Sequence, residues 1–452
     1  MSHKLPVGNY EWMTPEEIKD FDIAGQDFES ETGHVFSVTL SYPESLHLDH
    51  NSFPLAAEHI KVPHEELSQY SQDCLNDLLF KYVPVSKLSS TFKTRNNYVV
   101  HGMNLKLYLE LGMKLEEIHF GIKFEQGDYM ADFVKMQSEA RRNAVSQVES
   151  MIAKRMFFVC FFTLYIYIYK HFFFLGVVNS VFGKMIESGS NRMDMRFARS
   201  RERSMMLNTD PRFAGFKICG NNLVIELLKK KFIELRRHWM IGFSILELSK
   251  YVMCSIFYKI IQPTFEKQVQ LVFTDTDSFA LILPVESAEK ACEMLSPIMD
   301  FSNYDSSHRL YNSSLKNVTG YLKNENPNSN IIKICALKAK TYAYVTDKIS
   351  NKIDLKSKCK GVRKAARNKL KFEHYQKCLE QFRVQKITQY SIMAKDHVNR
   401  LVETRKISFT SFDDKRYYMC SIHSVPYGSI LIEKFKQMNN QCYFCMNPNI
   451  LR

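Results

Sequence analysis

Glycine and proline are scarce, at 16 and 13 of 452 residues, which excludes collagen-like, fibrous and low-complexity chains. No unit recurs at a period of about 20–50 residues, which excludes a solenoid or a propeller. The opening residues, Met1-Ser-His-Lys-Leu-Pro-Val7, contain no apolar run of the kind a secretory signal needs. The eleven cysteines are odd in number and irregularly spaced. That argues against a small disulfide framework and for reduced thiols in a nuclear or cytoplasmic setting. Aspartate is missing altogether from Phe28 to Leu48.

What is present is enough apolar material for a sizeable core, at 45% of residues, and a net charge of +13. The length predicts roughly two to four units of ordinary domain size. Charge is distributed unevenly. Residues 1–70 hold 13 acidic against 3 basic side chains, and residues 338–372 hold 12 basic against 2 acidic ones. A basic stripe this dense repels itself unless it is solvated or an anion lies along it.

Coarse periodicity places the elements. Val35–Tyr42 alternates like a half-buried strand and stops at Pro43. Leu105, Tyr108, Leu111, Leu115, Ile118 and Ile122 predict a helix over 103–122, although Leu105, Leu107, Leu109 and Leu111 also alternate like a strand. Lys135–Lys154 permits a polar helix, and residues 220–262 predict two helical stretches, the second around Ile245–Lys250. Gln268–Phe273 and Phe279–Val285 are apolar strands separated by only Thr274-Asp-Thr-Asp-Ser278, the pattern of a β-hairpin with a short polar tip. A strand from Ile331 leads into the basic stripe, and residues 370–450 alternate helix and strand signals. Met156–Tyr169 is apolar or aromatic almost throughout and resumes after Lys170-His171 as Phe172–Leu175. As a helix the run before Lys170 would reach about 21 Å, short of the ~30 Å bilayer core, so no membrane is expected as a partner.

Asp275 and Asp277 are the sharpest chemical feature. Residues i and i+2 of a strand share a face, and two carboxylates so placed repel unless a cation lies between them. Oxygen donors of this kind suit Mg²⁺, whereas a polar turn is the ordinary use of Asp, Thr and Ser. Cys442-Tyr-Phe-Cys445 has the spacing of half a zinc knuckle, with Cys420 and His423 as further donors. Without a second close-spaced cysteine pair, an ordinary tail is the favoured expectation there.

Three of these elements resemble a family in its own order. Phe273-Thr-Asp-Thr-Asp-Ser278 resembles the Y-x-D-T-D-S element of family B DNA polymerases. Asn179-Ser-Val-Phe-Gly183 resembles the K-x-x-x-N-S-x-Y-G element of their fingers, and Lys340-Thr-Tyr342 the K-x-Y element at the palm–thumb junction. The stretches Tyr98–Lys114, Val181–Glu187, Gly242–Lys250 and Asp413–Tyr418 extend the similarity, from about Leu5 to about Gly428, toward the protein-primed polymerases of Polinton/Maverick transposons.

The resemblance implies an α+β right-hand fold: an antiparallel palm sheet with helical fingers and a mostly helical thumb. Its parts would be residues 1–100 as palm after the first motif, 101–190 as fingers with an apolar insert at 156–176, 191–330 as palm with the hairpin, and 331–452 as palm–thumb junction and thumb. It implies nucleotidyl transfer from a dNTP to a primer 3′-hydroxyl on a DNA template, with two Mg²⁺ (or Mn²⁺) held by Asp275 and Asp277. Arg141, Arg142, Lys154, Asn179, Ser180, Phe182 and Gly183 would face the nucleotide. Thr276, Ser278, Lys338, Lys340, Tyr342, Lys358, Lys360, Arg363 and Lys364 would hold primer–template DNA. A terminal priming protein is a further candidate partner. Phe182 stands where the family usually has Tyr, so the hydroxyl at that position is lost.

Two departures accompany the likeness. The family's first aspartate, in D-x-x-x-L-Y, lies just upstream of a stretch resembling Lys4–Trp12. The expectation is therefore a chain without that acid, and without the exonuclease and priming regions before it. Leu40-Ser-Tyr-Pro43 is no substitute, standing in the aspartate-free stretch. Without this acid the second metal loses its bridge, and the alternative reading is a catalytically inactive nucleic-acid-binding remnant. Secondly, Asn179 follows Lys154 by 25 positions instead of the family's four. Removing Met156–Gly176 restores Lys154-Arg-Val-Val-Asn-Ser. The tract reads as a translated intron, a hypothesis that a mature transcript retaining it in all tissues would overturn.

Overall fold

The structure is a computed structural model and describes residues 3–142, 182–187, 189, 192–233, 238–327, 329–347, 354–395 and 398–447. It is a mixed α and β protein with antiparallel sheets, an α+β fold. The chain divides into two compact units. The first comprises Met1–Val145, Leu246–Gln389 and Arg405–Arg452, and the second Ser146–Ile245 with Tyr390–Thr404.

The first unit is built on a four-stranded antiparallel sheet. Its strands, in spatial order, are Leu5–Trp12, Lys114–Gly127, Thr32–Ser41 and Arg95–His101. The predicted alternation is realised from Phe36 on, with Phe36, Val38, Leu40 and Tyr42 buried and Ser37, Thr39 and Ser41 less so, while Val35 is buried on the opposite face. The helix expected over 103–122 is only Gly102–Glu110. Gly112, at φ 96°, adopts a backbone that other residues rarely take, and Met113 N–H closes onto the Tyr108 carbonyl at 3.0 Å. This glycine stop ends the helix, and Leu115, Ile118 and Ile122 lie in the following strand instead.

A continuous helix, Trp239–Ser255, runs through a π-turn at Ile256–Ile261 into Gln262–Thr264. Among the described residues this is the one helix long and apolar enough to cross a membrane, and 56% of its apolar window is buried inside the protein, as in a core helix. Its C-terminal half supports the next element. Phe257 is fully buried, and it and Phe53 hold Phe279 at ring-centre distances of 5.9 and 6.1 Å. Phe279 opens the second strand of the hairpin Gln270–Thr274/Phe279–Ile282, which forms as the sequence predicts.

Three antiparallel strands, Ile331–Lys338, Thr341–Thr346 and Asp354–Cys359, carry the basic stripe, and the helix Phe372–Glu380 packs against them. Strands Gln385–Lys395 and Val398–Phe409 then form a long ribbon. The segment expected to be a mostly helical thumb is thus rich in strand: Lys338, Lys356 and Lys358 alternate with Leu337, Leu355 and Cys359, which line a core, a period-two pattern.

In the second unit, strands Met193–Ala198, Leu223–Lys229 and Phe213–Gly220 form one sheet in that order. The helix Arg201–Asn208 closes it over Ala198, Leu207 and Leu228. Leu223–Lys229 was expected to be helical. Val224 and Ile225 are β-branched, and the segment pairs on both sides as the central strand.

Candidate functional site

The two aspartates occupy the tip of the Gln270–Ile282 hairpin, in its turn and not within a strand. The expectation that both carboxylates share one face of a strand is therefore corrected. Asp277 N–H donates to the Asp275 carbonyl at 2.9 Å, closing a three-residue turn around Thr276. Thr276 adopts φ 67°. For a β-branched residue this is a rare backbone state, costing about 1–3 kcal/mol. Ser278 Oγ donates to the same carbonyl at 3.3 Å, and Asp275 N–H donates to the Ser278 carbonyl at 3.2 Å. The result is a locked tip with the Asp277 side chain exposed and that of Asp275 largely shielded, at 12% exposure.

Asp275 is shielded by cations. Lys340 Nζ lies 3.1 Å from Oδ1 and Lys358 Nζ 3.3 Å from Oδ2. Partial burial pushes the carboxyl up, but hydrogen bonds and charge from Lys340 and Lys358 outweigh it and hold Asp275 below the usual carboxylate range. The sheet geometry explains the convergence. Lys340 ends the tight turn between Ile331–Lys338 and Thr341–Thr346 at φ 58°. Tyr342 pairs across the sheet with Lys358, and its ring stacks on Phe273 of the hairpin at 4.1 Å. Burial raises the Tyr342 hydroxyl above its ordinary pKa. One aromatic stack thus fastens the acidic tip to the basic sheet.

The remaining expected DNA contacts divide. Lys360, Arg363 and Lys364 are exposed just beyond Lys358, with Arg363 N–H donating to Gln389 Oε1 at 3.1 Å. Lys338 is half-buried, and its charge acts on Asp413, away from the hairpin group. Of the expected nucleotide contacts, Arg142 is exposed at the end of the helix Ala131–Arg142 and donates from Nε to the Lys316 carbonyl at 3.0 Å. Arg141 lies on the same helix, and its side chain is outside the described set. Phe182 and Gly183 open a short helical turn in the second unit, and no atom of the described residues outside that turn lies within 4 Å of where a Cβ would stand at Gly183. Lys154, Asn179, Ser180 and the apolar tract 156–176 lie outside the described residues.

Some structure-bearing residues gave no sequence signal. Asn104 Nδ2 donates to the Glu247 carbonyl at 2.6 Å and to Oε2 at 3.0 Å, and Lys250 pairs with Oε1 at 2.6 Å. His101 N–H also donates to Glu247, at 3.3 Å. Glu247 is buried and satisfied from three directions, which joins the stretches 98–114 and 242–250. Asp414 accepts both a bidentate contact from Lys87, at 2.7 Å, and the Tyr82 hydroxyl at 3.2 Å. The Asp413–Tyr418 stretch is therefore a structural clamp. Only the pairing of two distant segments reveals either network.

Comparison of the chain with protein families, with curated proteins and with solved structures found no match.

Proposed function

We propose that this chain carries out template-directed DNA synthesis of the family B, protein-primed type, adding nucleotides from dNTPs to a primer 3′-hydroxyl. One observation carries the reading. Lys340 and Lys358, the latter 83 residues from Asp275, converge on the Asp275 carboxylate at the hairpin tip. The acid that the resemblance assigns to a metal and the cations it assigns to primer phosphates thus share one locality.

Asp275 and Asp277 offer hard carboxylate oxygens, and Mg²⁺ is commonly held by one or two carboxylates together with substrate phosphates. Among the described residues the only group of three or more metal-competent side chains lies elsewhere. The pair therefore fits one ion shared with a nucleotide and does not complete a two-metal site. When bound, such an ion would neutralise charge on the transferring phosphoryl group. Lys340 and Lys358, which neutralise Asp275 in the free protein, would serve the primer phosphates, holding DNA in place without reading its sequence.

The incomplete acid set favours a second reading, a nucleic-acid binder without turnover. Purified chain, primed template, Mg²⁺ and dNTPs separate the two. Extension that disappears in Asp277→Ala supports the polymerase. Salt-sensitive binding without extension supports the binder. Neither extension nor binding removes both.

A further inference from the structure

We infer that Cys420, His423, Cys442 and Cys445 form a structural zinc site within the first unit, fastening the last short helix, Tyr443–Met446, to the loop that carries Cys420 and His423. The four donor atoms all lie within 4.8 Å of one another. His423 Nδ1 is 3.3 Å from Cys420 Sγ, 3.5 Å from Cys442 Sγ and 3.4 Å from Cys445 Sγ, and the Cys420 and Cys445 sulfurs are 3.9 Å apart. A tetrahedral zinc with ordinary bond lengths places sulfurs about 3.8 Å apart and sulfur and nitrogen about 3.6 Å apart. The observed spacings match that shell. The sulfur separation is far from the ~2.05 Å of a disulfide, and these cysteines are free thiols.

Hydrogen bonding alone does not account for the cluster. One imidazole Nδ1 offers either a single N–H or a single lone pair, so it serves one of the three sulfurs that surround it. A cation at the centre satisfies all four donors together. Three thiolates and one imidazole in a closed tetrahedron are a zinc donor set, softer than Mg²⁺ or Ca²⁺ accepts. On binding, each thiol releases its proton to solvent, the zinc keeps its oxidation state, and the centre carries one net negative charge.

The fold delivers the donors in two pairs. Cys420 and His423 lie in the loop of the hairpin Tyr417–Tyr418/Ser424–Val425, whose Met419 N–H donates to the His423 carbonyl at 2.9 Å. After the helix Ile430–Gln437, Asn439 and Asn440 take left-handed backbone at φ 52° and 59°, and the chain reverses. Cys442 then caps the short helix Tyr443–Met446, and Cys445 falls one turn later on the same side. The proposal departs from the ordinary-tail expectation. The second close-spaced pair exists, with histidine in place of one cysteine. Beneath the cluster, Tyr417, Val425, Phe435, Cys442 and Phe444 belong to a core that includes Val62, Leu67 and Leu75. The site thus pins the last helix over a core shared with residues 62–75, and it does not depend on the polymerase reading.

The test is metal analysis of the full chain purified without chelator, with Cys445→Ser in parallel. Cys445 is exposed, so that change leaves the core underneath intact. The expected result is about one zinc per chain, three thiols protected from a thiol reagent until a chelator is added, and tetrahedral thiolate bands on replacement by Co²⁺. Cys445→Ser is expected to lose most of the zinc and to melt at the temperature of the chelated wild type. Wild-type chain that holds no zinc and takes none up, a Cys420–Cys445 disulfide in its place, or Cys445→Ser that binds zinc as wild type does would each overturn the inference. The wild-type measurement decides the matter even if the variant fails to fold.

Discussion

Two non-glycine residues in left-handed backbone, Thr276 and Lys340, bracket the Asp275 carboxylate. At Lys340 the conformation and the ammonium group can be separated. Lys340→Gly keeps the turn, since glycine adopts positive φ freely, and removes the charge. An exposed ion pair contributes about 0–1 kcal/mol, so the unfolding free energy from urea melts should change by under about 1 kcal/mol. The same substitution should lower the slope of log K against log salt for primer–template binding by about 1, the share of one phosphate contact. An unchanged salt slope would mean that Lys340 serves the turn alone. Asp275 is the opposite case. Its folded pKa is depressed, so the stability it contributes is present above the pKa of an unfolded carboxyl, about 3.9, and is lost as pH falls through the lower folded value. Asp275→Asn should flatten that acid limb of the stability profile.

At the scale of elements, the acidic hairpin is fastened to the basic sheet by the Phe273–Tyr342 stack. Tyr342→Phe should leave stability and binding close to wild type. Tyr342→Ala removes a buried ring, at a cost of about 3–5 kcal/mol, and should weaken binding as well. The strand Arg95–His101 makes a pH prediction. Burial pushes His101 down to about 4, and its Nδ1 accepts the Met103 N–H at 3.3 Å, so the folded state holds it neutral. Stability is then full above the unfolded value of about 6.5 and falls as pH drops toward 4, by up to about 1.4 kcal/mol per pH unit. His101→Gln should flatten this window in urea melts taken at several pH values. The hairpin and Val35–Tyr42 were legible in the sequence because period-two alternation and turn residues are local signals. Leu115–Ile122 and Leu223–Lys229 were misread because leucine spacing suits either period, and pairing partners decided the outcome. In the first case Gly112 was the overlooked stop. The aspartates were legible as a pair, but their approach to Lys340 and Lys358 was not, since it depends on stacking between distant segments. The four Cys/His donors were legible in the sequence, but their convergence was not, since it depends on the chain reversal at Asn439 and Asn440.

For the molecule as a whole, the charge asymmetry along the sequence has a counterpart in the fold. The exposed cations Lys340, Lys358, Lys360, Arg363 and Lys364 all belong to the first unit, on or just beyond the sheet that meets the hairpin. If all five meet phosphate, DNA binding should weaken with salt at a slope no steeper than about −4.5, which fluorescence anisotropy between low and physiological salt would read. A flat dependence would mean that the basic stripe is a solvated face.

The most direct test of the central claim is single-turnover incorporation of one dNTP onto a labelled primer in Mg²⁺, comparing wild type with Asp277→Asn. If Asp277 holds a metal as proposed, its loss removes several kcal/mol of transition-state stabilisation, so the account predicts measurable incorporation by wild type and a fall of ~10³-fold in the variant, with primer–template affinity retained. Incorporation that proceeds equally well in Asp277→Asn, or wild type that binds primed DNA and never extends it, would contradict the claim.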